Sequence, residues 1–413
     1  MTAKEKYSFI QSVKDLLRIW ALEMKIIFSD HGVLLFCIFV PVLYPLLYSY
    51  IYTTELTREV PVTVIDNSHS SLSREFIRRL DASQWVSVVG LSADAADARQ
   101  QIKEQRTYGY LEIPSDFSDN IVNNRQGYIG FFGDMSGMLY YKGILVGATE
   151  VSLEMNKHIK VERAAVTTDE EASLVAYPVE NEEVILFNPQ QGFAAFLIPA
   201  VLMLVIQQTL LLGIGMADGT AAEEGGEYSE LVATSRRNRR TSHIIMGRTM
   251  AYFFVYLVTV AFMVCVIPRL FNLIQIARPL DLVLFLLPYL LACILFAQAL
   301  SVLSRNREMS ILIFVCTSVP LLFISGISWP GAAVPPFWKG VSWLFPSTFG
   351  INGFVRLSVM GATLEEVTRE WWALWAHCCI YFTLAYVACR VMIRNQKRNI
   401  LNSKRNSRNV ERR

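Results

Sequence analysis

Six long apolar stretches divide the chain into hydrophobic and polar material. They cover residues 32–52, 192–217, 249–268, 282–303, 309–327 and 371–388. About 20 consecutive apolar residues are enough for a helix to cross the hydrocarbon core of a bilayer. The pattern therefore predicts an α-helical integral membrane protein with six transmembrane helices. The first would span residues 32–52, and the other five would form one membrane-embedded core over residues 190–393.

The residues before the first stretch show a helical period. Apolar side chains recur at Val13, Leu16, Trp20 and Met24, and most Lys and Arg residues lie off that stripe. A basic amphipathic helix with a tryptophan on its apolar side is typical of the membrane–water interface. We expect residues 1–31 to form such a helix on the cytoplasmic side. A helix packed against the protein interior is the alternative.

A long polar segment, residues 53–189, separates the first two apolar stretches. Valines alternate over residues 60–64 as in a half-buried strand, and residues 92–105 have a helical pattern. Strands that alternate with helices indicate an α/β domain. His69 and His158 have no partner at metal-ligand spacing, so we expect neither a metal site nor catalysis in this domain.

The distribution of positive charge predicts the orientation. Most Lys and Arg residues of the short connecting segments lie on one side, with the N-terminal helix, and a basic tail follows at residues 394–413. The short segments on the other side contain only Arg269, Arg278, Lys339, Arg356 and Arg369. Short cytoplasmic loops are enriched in Lys and Arg. Both termini are therefore expected in the cytoplasm, with the α/β domain on the extracytoplasmic side of a bacterial inner membrane.

The basic tail has two possible partners, nucleic acid and anionic lipid. It lacks the interleaved aromatic residues and the recognition fold of a nucleic-acid-binding segment. A cluster of Lys and Arg directly after a membrane span is instead typical of contact with lipid headgroups. We expect the tail to contact membrane lipids and no nucleic acid.

Residues 325–361 are too apolar for a solvated loop and too rich in proline for one membrane helix. Pro330, Pro335, Pro336 and Pro346 interrupt the segment, and tryptophans are dense in and after it. Proline breaks a helix interior, and irregular backbone at membrane depth survives only inside protein or beside water. We therefore predict a re-entrant helical hairpin before the last span. A loop lying flat on the membrane surface is the alternative.

The predicted spans contain little chemistry that could drive transport. No Asp, Glu, Lys or Arg lies inside the six stretches, and His377 is the single histidine there. Ion-coupled transporters need ionisable groups at membrane depth, and the chain has no G-x-x-x-x-G-K-[ST] motif for a nucleotide. Energy for uphill transport would have to come from another polypeptide. Two other classes stay open: a membrane receptor or sensor with an external α/β ligand-binding domain, and an embedded hydrolase, for which His377 lacks a catalytic partner.

Three groups of motifs resemble ABC type-2 exporter permeases, and among them the drug-exporter-like branch with an external domain between the first two spans. The last third of the chain carries Ser325-Gly326, Pro330, Pro335-Pro336, Phe345-Pro346, Arg356 and Gly361 in that order. The polar segment carries a D-N-S…S-R-E…G-Y-L-E-I-P-S-D-F-S succession between Asp66 and Ser118. Residues 218–247 carry an acidic run, E-L, T-S and a basic cluster, and G-R follows at Gly247-Arg248, a succession similar to that family's coupling helix. Four Arg stand here where two basic residues are usual.

The resemblance implies the permease subunit of an ABC exporter, with a separate ATPase subunit as partner. It also implies a second permease chain, identical or paralogous, and leaves room for a periplasmic adaptor. ATP and Mg would be bound by the ATPase, and no cofactor by this chain. A mostly apolar lining would suit an amphiphilic substrate, either a drug or a lipid-like molecule.

The candidate site residues form three groups. Contact with the ATPase is assigned to Glu227, Glu230, Leu231, Thr234, Arg236 and Arg237. The substrate pathway is assigned to the polar intramembrane side chains Gln207, Gln208, Gln298 and Ser301, for which hydrogen bonding between helices is the alternative. The re-entrant gate is assigned to Ser325, Gly326, Pro330, Pro346, Arg356 and Gly361. We expect Arg356 to bond free helix-end carbonyls or a carboxylate of the external domain. No catalytic residue or metal ligand is predicted.

Overall fold

Six helices are long and apolar enough to cross a membrane, which is the number that the hydrophobic pattern predicts. The computed structural model describes residues 3–52, 57–164, 186–187, 192–224, 241–302, 306–326, 329 and 331–411. It divides into two compact units. We call residues 1–55 with 186–413 the membrane-spanning unit, and residues 56–185 the polar unit. The six spans confirm a multi-pass α-helical membrane protein.

The elements follow one another as helices, then strands with helices, then helices again. In chain order the helices are α1 (Ala3–Ser29), α2 (His31–Ile51), α3 (Ser71–Asp81), α4 (Ala95–Lys103), α5 (Phe117–Val122), α6 (Met138–Ala164), α7 (Phe193–Glu224), α8 (Thr241–Leu270), α9 (Pro279–Ser301), α10 (Arg307–Ile324), α11 (Pro336–Ser342), α12 (Pro346–Ser358) and α13 (Thr368–Glu411). The strands are β1 (Val60–Asp66), β2 (Val86–Leu91), β3 (Gly109–Ile113) and β4 (Gly130–Gly133).

Two of the spans contain a π-helical turn, in α2 at Leu35–Phe39 and in α8 at Phe262–Val266. A proline follows each turn closely, Pro41 in α2 and Pro268 in α8. A proline ring clashes with the carbonyl four residues before it, and in both helices that carbonyl lies within the wider π-helical turn. The widened turns let α2 continue through Pro41 and α8 continue through Pro268.

The spans define two ends of the membrane-spanning unit, because consecutive spans run in opposite directions. At one end the last turns of α7 approach the start of α10, where a Cβ added to Gly219 would lie 2.7 Å from the Asn306 carbonyl carbon. At the other end the backbone N–H of Ile276, between α8 and α9, donates to Ser358 O of α12 (2.8 Å). We call the first the basic end and the second, which contains α11 and α12, the aromatic end.

Helix α7 lies at the centre of the membrane-spanning unit. Its apolar length is buried, and it packs against α2, α9, α10 and α12. By contrast, α10 is mostly exposed. Close packing of α12 on α9 depends on glycine, since a Cβ at Gly350 would overlap the ring of Tyr289 and one at Gly353 the ring of Phe285.

The polar unit is built on a four-stranded sheet in the order β2-β1-β3-β4. Strand β1 pairs in parallel with β2 and β3, and β4 is antiparallel to β3. Val62 and Val64 of β1 pack with Leu111 of β3 and Phe76 of α3 in one apolar core. A parallel pair needs a crossover connection, and α3 and α4 provide those crossovers.

Residues 325–361 contain two short helices, α11 and α12, joined by a turn at residues 343–345. Gly326 and Gly361 have positive φ angles of 89° and 66°. Residues with a Cβ atom rarely adopt a positive φ angle, so glycine suits the two positions where the chain leaves α10 and α12. Pro346 is the first residue of α12, where proline's fixed φ and missing N–H are both compatible with a helix. Pro330 lies outside the described residues.

The last helix is longer than the apolar pattern predicts. The pattern ends near residue 388 and assigns residues 394–413 to a tail, whereas α13 continues to Glu411. Its sequence contains no Gly or Pro, and Arg, Lys, Leu and Ala are good helix formers. Hydropathy reports where a helix can lie in lipid and does not report where that helix ends.

Candidate functional site

Three charged side chains meet in the interior of the basic end. Arg248 of α8 donates from Nε to Glu23 Oε1 of α1 (2.8 Å) and from Nη2 to Asp218 Oδ1 of α7 (2.6 Å). A longer bond from Nη1 to Asp218 Oδ2 (3.3 Å) makes the contact between Arg248 and Asp218 bidentate. The planar guanidinium favours this geometry. All three side chains are at least 90% buried. We call this group the Arg248 cluster.

Burial controls the electrostatics of the Arg248 cluster. Ile19 and Ile27, one turn on either side of Glu23, are also buried, so Glu23 lies on the packed face of α1. Desolvation raises the pKa of Glu23 above its ordinary value, and the charge of Arg248 opposes this effect only in part. Two carboxyl groups share one guanidinium, so Arg248 is the contact that joins α1, α7 and α8.

A second polar group, the Asp30 cluster, lies at the same end. Asp30 accepts hydrogen bonds from Gly32 N (2.8 Å) and Val33 N (3.3 Å) and thereby caps the start of α2. Its other oxygen accepts from Arg307 of α10 and from Thr220 Oγ1 of α7 (3.2 Å). Partial burial acts to raise the pKa of Asp30, but the two backbone N–H groups and Arg307 outweigh it and the pKa is lowered. The cluster joins α2, α7 and α10.

The two clusters surround the ends of the predicted coupling loop, residues 218–247. Asp218 lies in α7, and α8 begins at Thr241, so Asp218 and Arg248 join the two helices that this loop connects. The residues assigned to ATPase contact, Glu227, Glu230, Leu231, Thr234, Arg236 and Arg237, lie outside the described residues. Their role stays a prediction.

The four predicted pathway residues are buried but do not meet at one place. Gln207 Oε1 accepts from Ser347 N of α12 (2.7 Å), and the neighbouring Gln208 accepts from Thr317 Oγ1 of α10 (3.4 Å). Consecutive residues of a helix point about 100° apart, so the two amides face different helices. Each of these bonds joins two helices, as the alternative reading expects.

The other two pathway residues lie in the last turn of α9, at the basic end. Gln298 Nε2 donates to Thr249 Oγ1 of α8 (3.2 Å), and Ser301 Oγ donates to Gln298 O within α9 (3.0 Å). Among the described residues, the Nε2 atoms of Gln207 and Gln208 have no hydrogen-bond partner. A role of the four residues in a pathway stays a prediction.

Of the predicted gate residues that the structure describes, Ser325 and Gly326 directly follow α10, Pro346 and Arg356 lie in α12, and Gly361 follows α12. Ser325 Oγ donates to Leu322 O in the last turn of α10 (2.7 Å), and Asn352 Nδ2 of α12 donates to Ser325 O (3.3 Å). These bonds fix the end of α10 against α12. Gly326 and Gly361 then turn the chain at the two ends of the segment.

Arg356, in the last turn of α12, contacts the start of the last span. Its Nη2 donates to Glu366 O (2.8 Å), and its Nη1 lies 3.4 Å from Glu370 Oε2. The first acceptor is a backbone carbonyl between α12 and α13, and the second is a carboxylate in the first turn of α13. Neither is a helix-end carbonyl or a carboxylate of the external domain, the acceptors expected for Arg356. Its gating role stays a prediction.

Sequence reasoning matched Arg248 to the G-R of the coupling-loop motif but missed the buried contacts of the charged residues at the basic end. The apolar stretches exclude Asp218 and Arg248, whereas α7 and α8 extend past those stretches and include both residues. Glu23 had a visible signal, since it lies four residues from both Ile19 and Ile27 and so on their helix face. For Asp30 and Arg307, which are 277 residues apart, the sequence contains no signal of contact.

The fold and the buried polar contacts together define a multi-pass membrane protein whose helices are joined by specific charged contacts at one end. The sequence matches the family description "ABC-2 family transporter protein" over residues 31–387, and the chain belongs to that family. It is therefore a transmembrane component of an ABC transporter. No curated protein matches the chain.

Proposed function

We propose that this chain is the permease subunit of an ABC exporter of the drug-exporter-like branch. It moves an amphiphilic substrate, a drug or a lipid-like molecule, across a bacterial inner membrane. A separate ATPase subunit binds ATP and Mg and hydrolyses the nucleotide, and a second permease chain completes the pathway. Family membership supports the transporter class.

The observation that carries the coupling role is the Arg248 cluster. Asp218 and Arg248 join α7 to α8 at the base of residues 225–240, and Glu23 joins both helices to α1. A force applied to the loop by a partner is thereby transmitted to three helices at once. Since α7 is the central helix, the Arg248 cluster connects the ends of the loop to the middle of the bundle.

The orientation follows from the charge bias. Both termini and the basic end lie in the cytoplasm, and α11, α12 and the polar unit lie outside, because short cytoplasmic loops carry most of the Lys and Arg. In this orientation residues 225–240 face the ATPase. The segment with α11 and α12 is then a re-entrant hairpin on the outer side, and the polar unit is an external α/β domain open to an adaptor.

Leu231→Asp tests the coupling loop. An unpaired charge in a packed contact is costly, so transport into inverted vesicles should fall at least about tenfold while membrane insertion stays normal. Leu231→Met, which conserves volume and polarity, should transport as wild type does. Full transport by the Asp variant would show that Leu231 does not pack against a partner.

The chain purified alone should not hydrolyse ATP, and hydrolysis by it would overturn the proposal of a separate energy source.

A further inference from the structure

The turn between α11 and α12 has an unusual set of partners. Its three successive carbonyl oxygens, those of Ser342, Trp343 and Leu344, each accept a side-chain hydrogen bond. Thr348 Oγ1 donates to Ser342 O (2.7 Å), His377 Nε2 lies 2.9 Å from Trp343 O, and Tyr381 OH donates to Leu344 O. Two of these three donors belong to α13, so the last span holds the turn directly.

The bond at Trp343 fixes the state of His377. A carbonyl oxygen can only accept, so His377 Nε2 carries the hydrogen. The ring is 93% buried and packs edge-on to Phe349 and at a tilt to Tyr381, with ring centroids 5.4 Å away in both cases. Packing therefore fixes the donor in position, because His377 and Tyr381 lie one turn apart on the same face of α13.

The side chains of Trp343 and Leu344 point away from α13, whereas Phe345 packs against the core, with its ring centroid 5.7 Å from that of Phe296. Those of Trp343 and Leu344 are about half exposed or more, at 49% and 61%, while their carbonyls face α13. The contact of these two residues with α13 thus consists mainly of backbone acceptors and side-chain donors. Its hydrogen bonds can be broken and formed again, because their donors and acceptors can bond to water when they separate.

The start of α12 is held by α7, in a contact separate from that between the turn and α13. Phe345, the residue before the helix, provides no side-chain cap, and Ser347 N instead donates to Gln207 Oε1. Gln207 therefore caps α12 from a different helix. One short segment is thus fixed on one side by the central helix and on the other side by the last span.

We propose that His377 and Tyr381 are positioning residues for export, which hold the turn at residues 343–345 in the closed position of the outer exit. Release of the turn from α13 opens that exit. This inference rests on the proposed function, since it takes the aromatic end as the outer side. It adds to that function two residues of the last span and a contact, between the turn and α13, that breaks when the exit opens.

The test measures access to the interior below the turn. Leu210 of α7 is fully buried and lies three residues, about one turn, beyond Gln207 in the direction of the basic end. In the assembled transporter, a Leu210→Cys reporter is exposed to a membrane-impermeant maleimide from the outer side, without nucleotide. The labelling rate is read at residue 210 by peptide mass spectrometry, and native Cys37, also fully buried, is read in the same sample.

Tyr381→Phe deletes only the donor to Leu344 and keeps the ring packing. Labelling at position 210 should rise about fivefold, the effect of losing one ordinary hydrogen bond, while Cys37 stays unlabelled. His377→Leu should give a similar rise, and His377→Gln, whose Nε2 can still donate, should stay close to the wild-type rate. Tyr386→Phe, which removes the same atom from the same helix and no described bond to the turn, is the matched control.

Equal labelling in the wild type and Tyr381→Phe would overturn the proposal. Equal rates for His377→Gln and His377→Leu would also overturn it, as would a parallel rise at Cys37, which would indicate general loosening. The assay needs no ATP hydrolysis. Failure of the coupling prediction at Leu231 therefore leaves this result unaffected, and the two hypotheses fail separately.

Discussion

The two ends of the membrane-spanning unit are held by opposite kinds of chemistry. At the basic end, Arg248 joins three helices through two buried carboxyl groups. At the aromatic end, the α11–α12 turn is held by neutral hydrogen bonds to backbone carbonyls. Breaking a buried ion pair leaves an uncompensated charge, whereas breaking a neutral hydrogen bond costs about 1 kcal/mol. The first arrangement suits a joint that transmits force, and the second suits a contact that opens in each cycle.

The largest effect expected from this comparison follows the removal of Arg248. Arg248→Met leaves Glu23 and Asp218 buried without a cation, which should lower the free energy of unfolding by about 3–5 kcal/mol. Thermal unfolding of the purified complex measures the loss. Arg269→Met, a change at an exposed arginine of the same helix, should have little effect. Similar unfolding temperatures for the two variants would show that the basic end does not depend on its charges.

A smaller effect concerns the protonation of Glu23. Its pKa is raised in the folded state by burial. Above a pH of about 4.5, where a free glutamate ionises, the unfolded chain loses this proton first. The stability of the wild type should therefore fall as the pH rises through the window between 4.5 and the folded-state pKa, at up to about 1.4 kcal/mol per pH unit. Below that window the protonated side chain has no such effect.

Glu23→Gln isolates the effect of Glu23 ionisation on the free energy of unfolding. The amide keeps the shape of the protonated acid and does not titrate, so its unfolding temperature should exceed that of the wild type by a margin that grows with pH. Glu365→Gln, at an exposed position, should show no such trend. A wild type that becomes the more stable of the two at higher pH would mean that attraction to Arg248 outweighs burial. The basic end would then be held by charge even more firmly than the comparison supposes.

Much of the fold follows from hydropathy because a bilayer demands long apolar helices. The first predicted span, residues 32–52, differs by one residue at each end from α2. Helix ends are less well predicted, since they are set by packing and capping. That difference is why Asp218 and Arg248, assigned to a loop by hydropathy, lie instead in helices and in the interior.

The contacts of the turn could not be predicted for a different reason. His377 and Tyr381 bond to carbonyls 34 and 37 residues earlier in the chain. Backbone carbonyls occur at every position, so a sequence does not indicate which of them accept a side-chain donor. His377 was recognised as the single intramembrane histidine, and its partner became visible only with the geometry of α12 and α13.

The smallest expected effect tests whether the aromatic end also depends on a charge. Arg356 is 40% exposed, and it contacts Glu366 O through Nη2 and Glu370 through Nη1. Lys keeps the charge but cannot reach both acceptors in that planar arrangement. At matched expression, Arg356→Lys should lower transport about twofold and Arg356→Ala about fivefold, a range that corresponds to the 0.2–1 kcal/mol of an exposed pair. Arg369→Lys, a nearby exposed change, should leave transport unchanged. If Arg356→Lys transports as well as the wild type, the arginine only anchors α12 at the membrane surface, and the neutral hydrogen bonds of the turn hold the aromatic end without it.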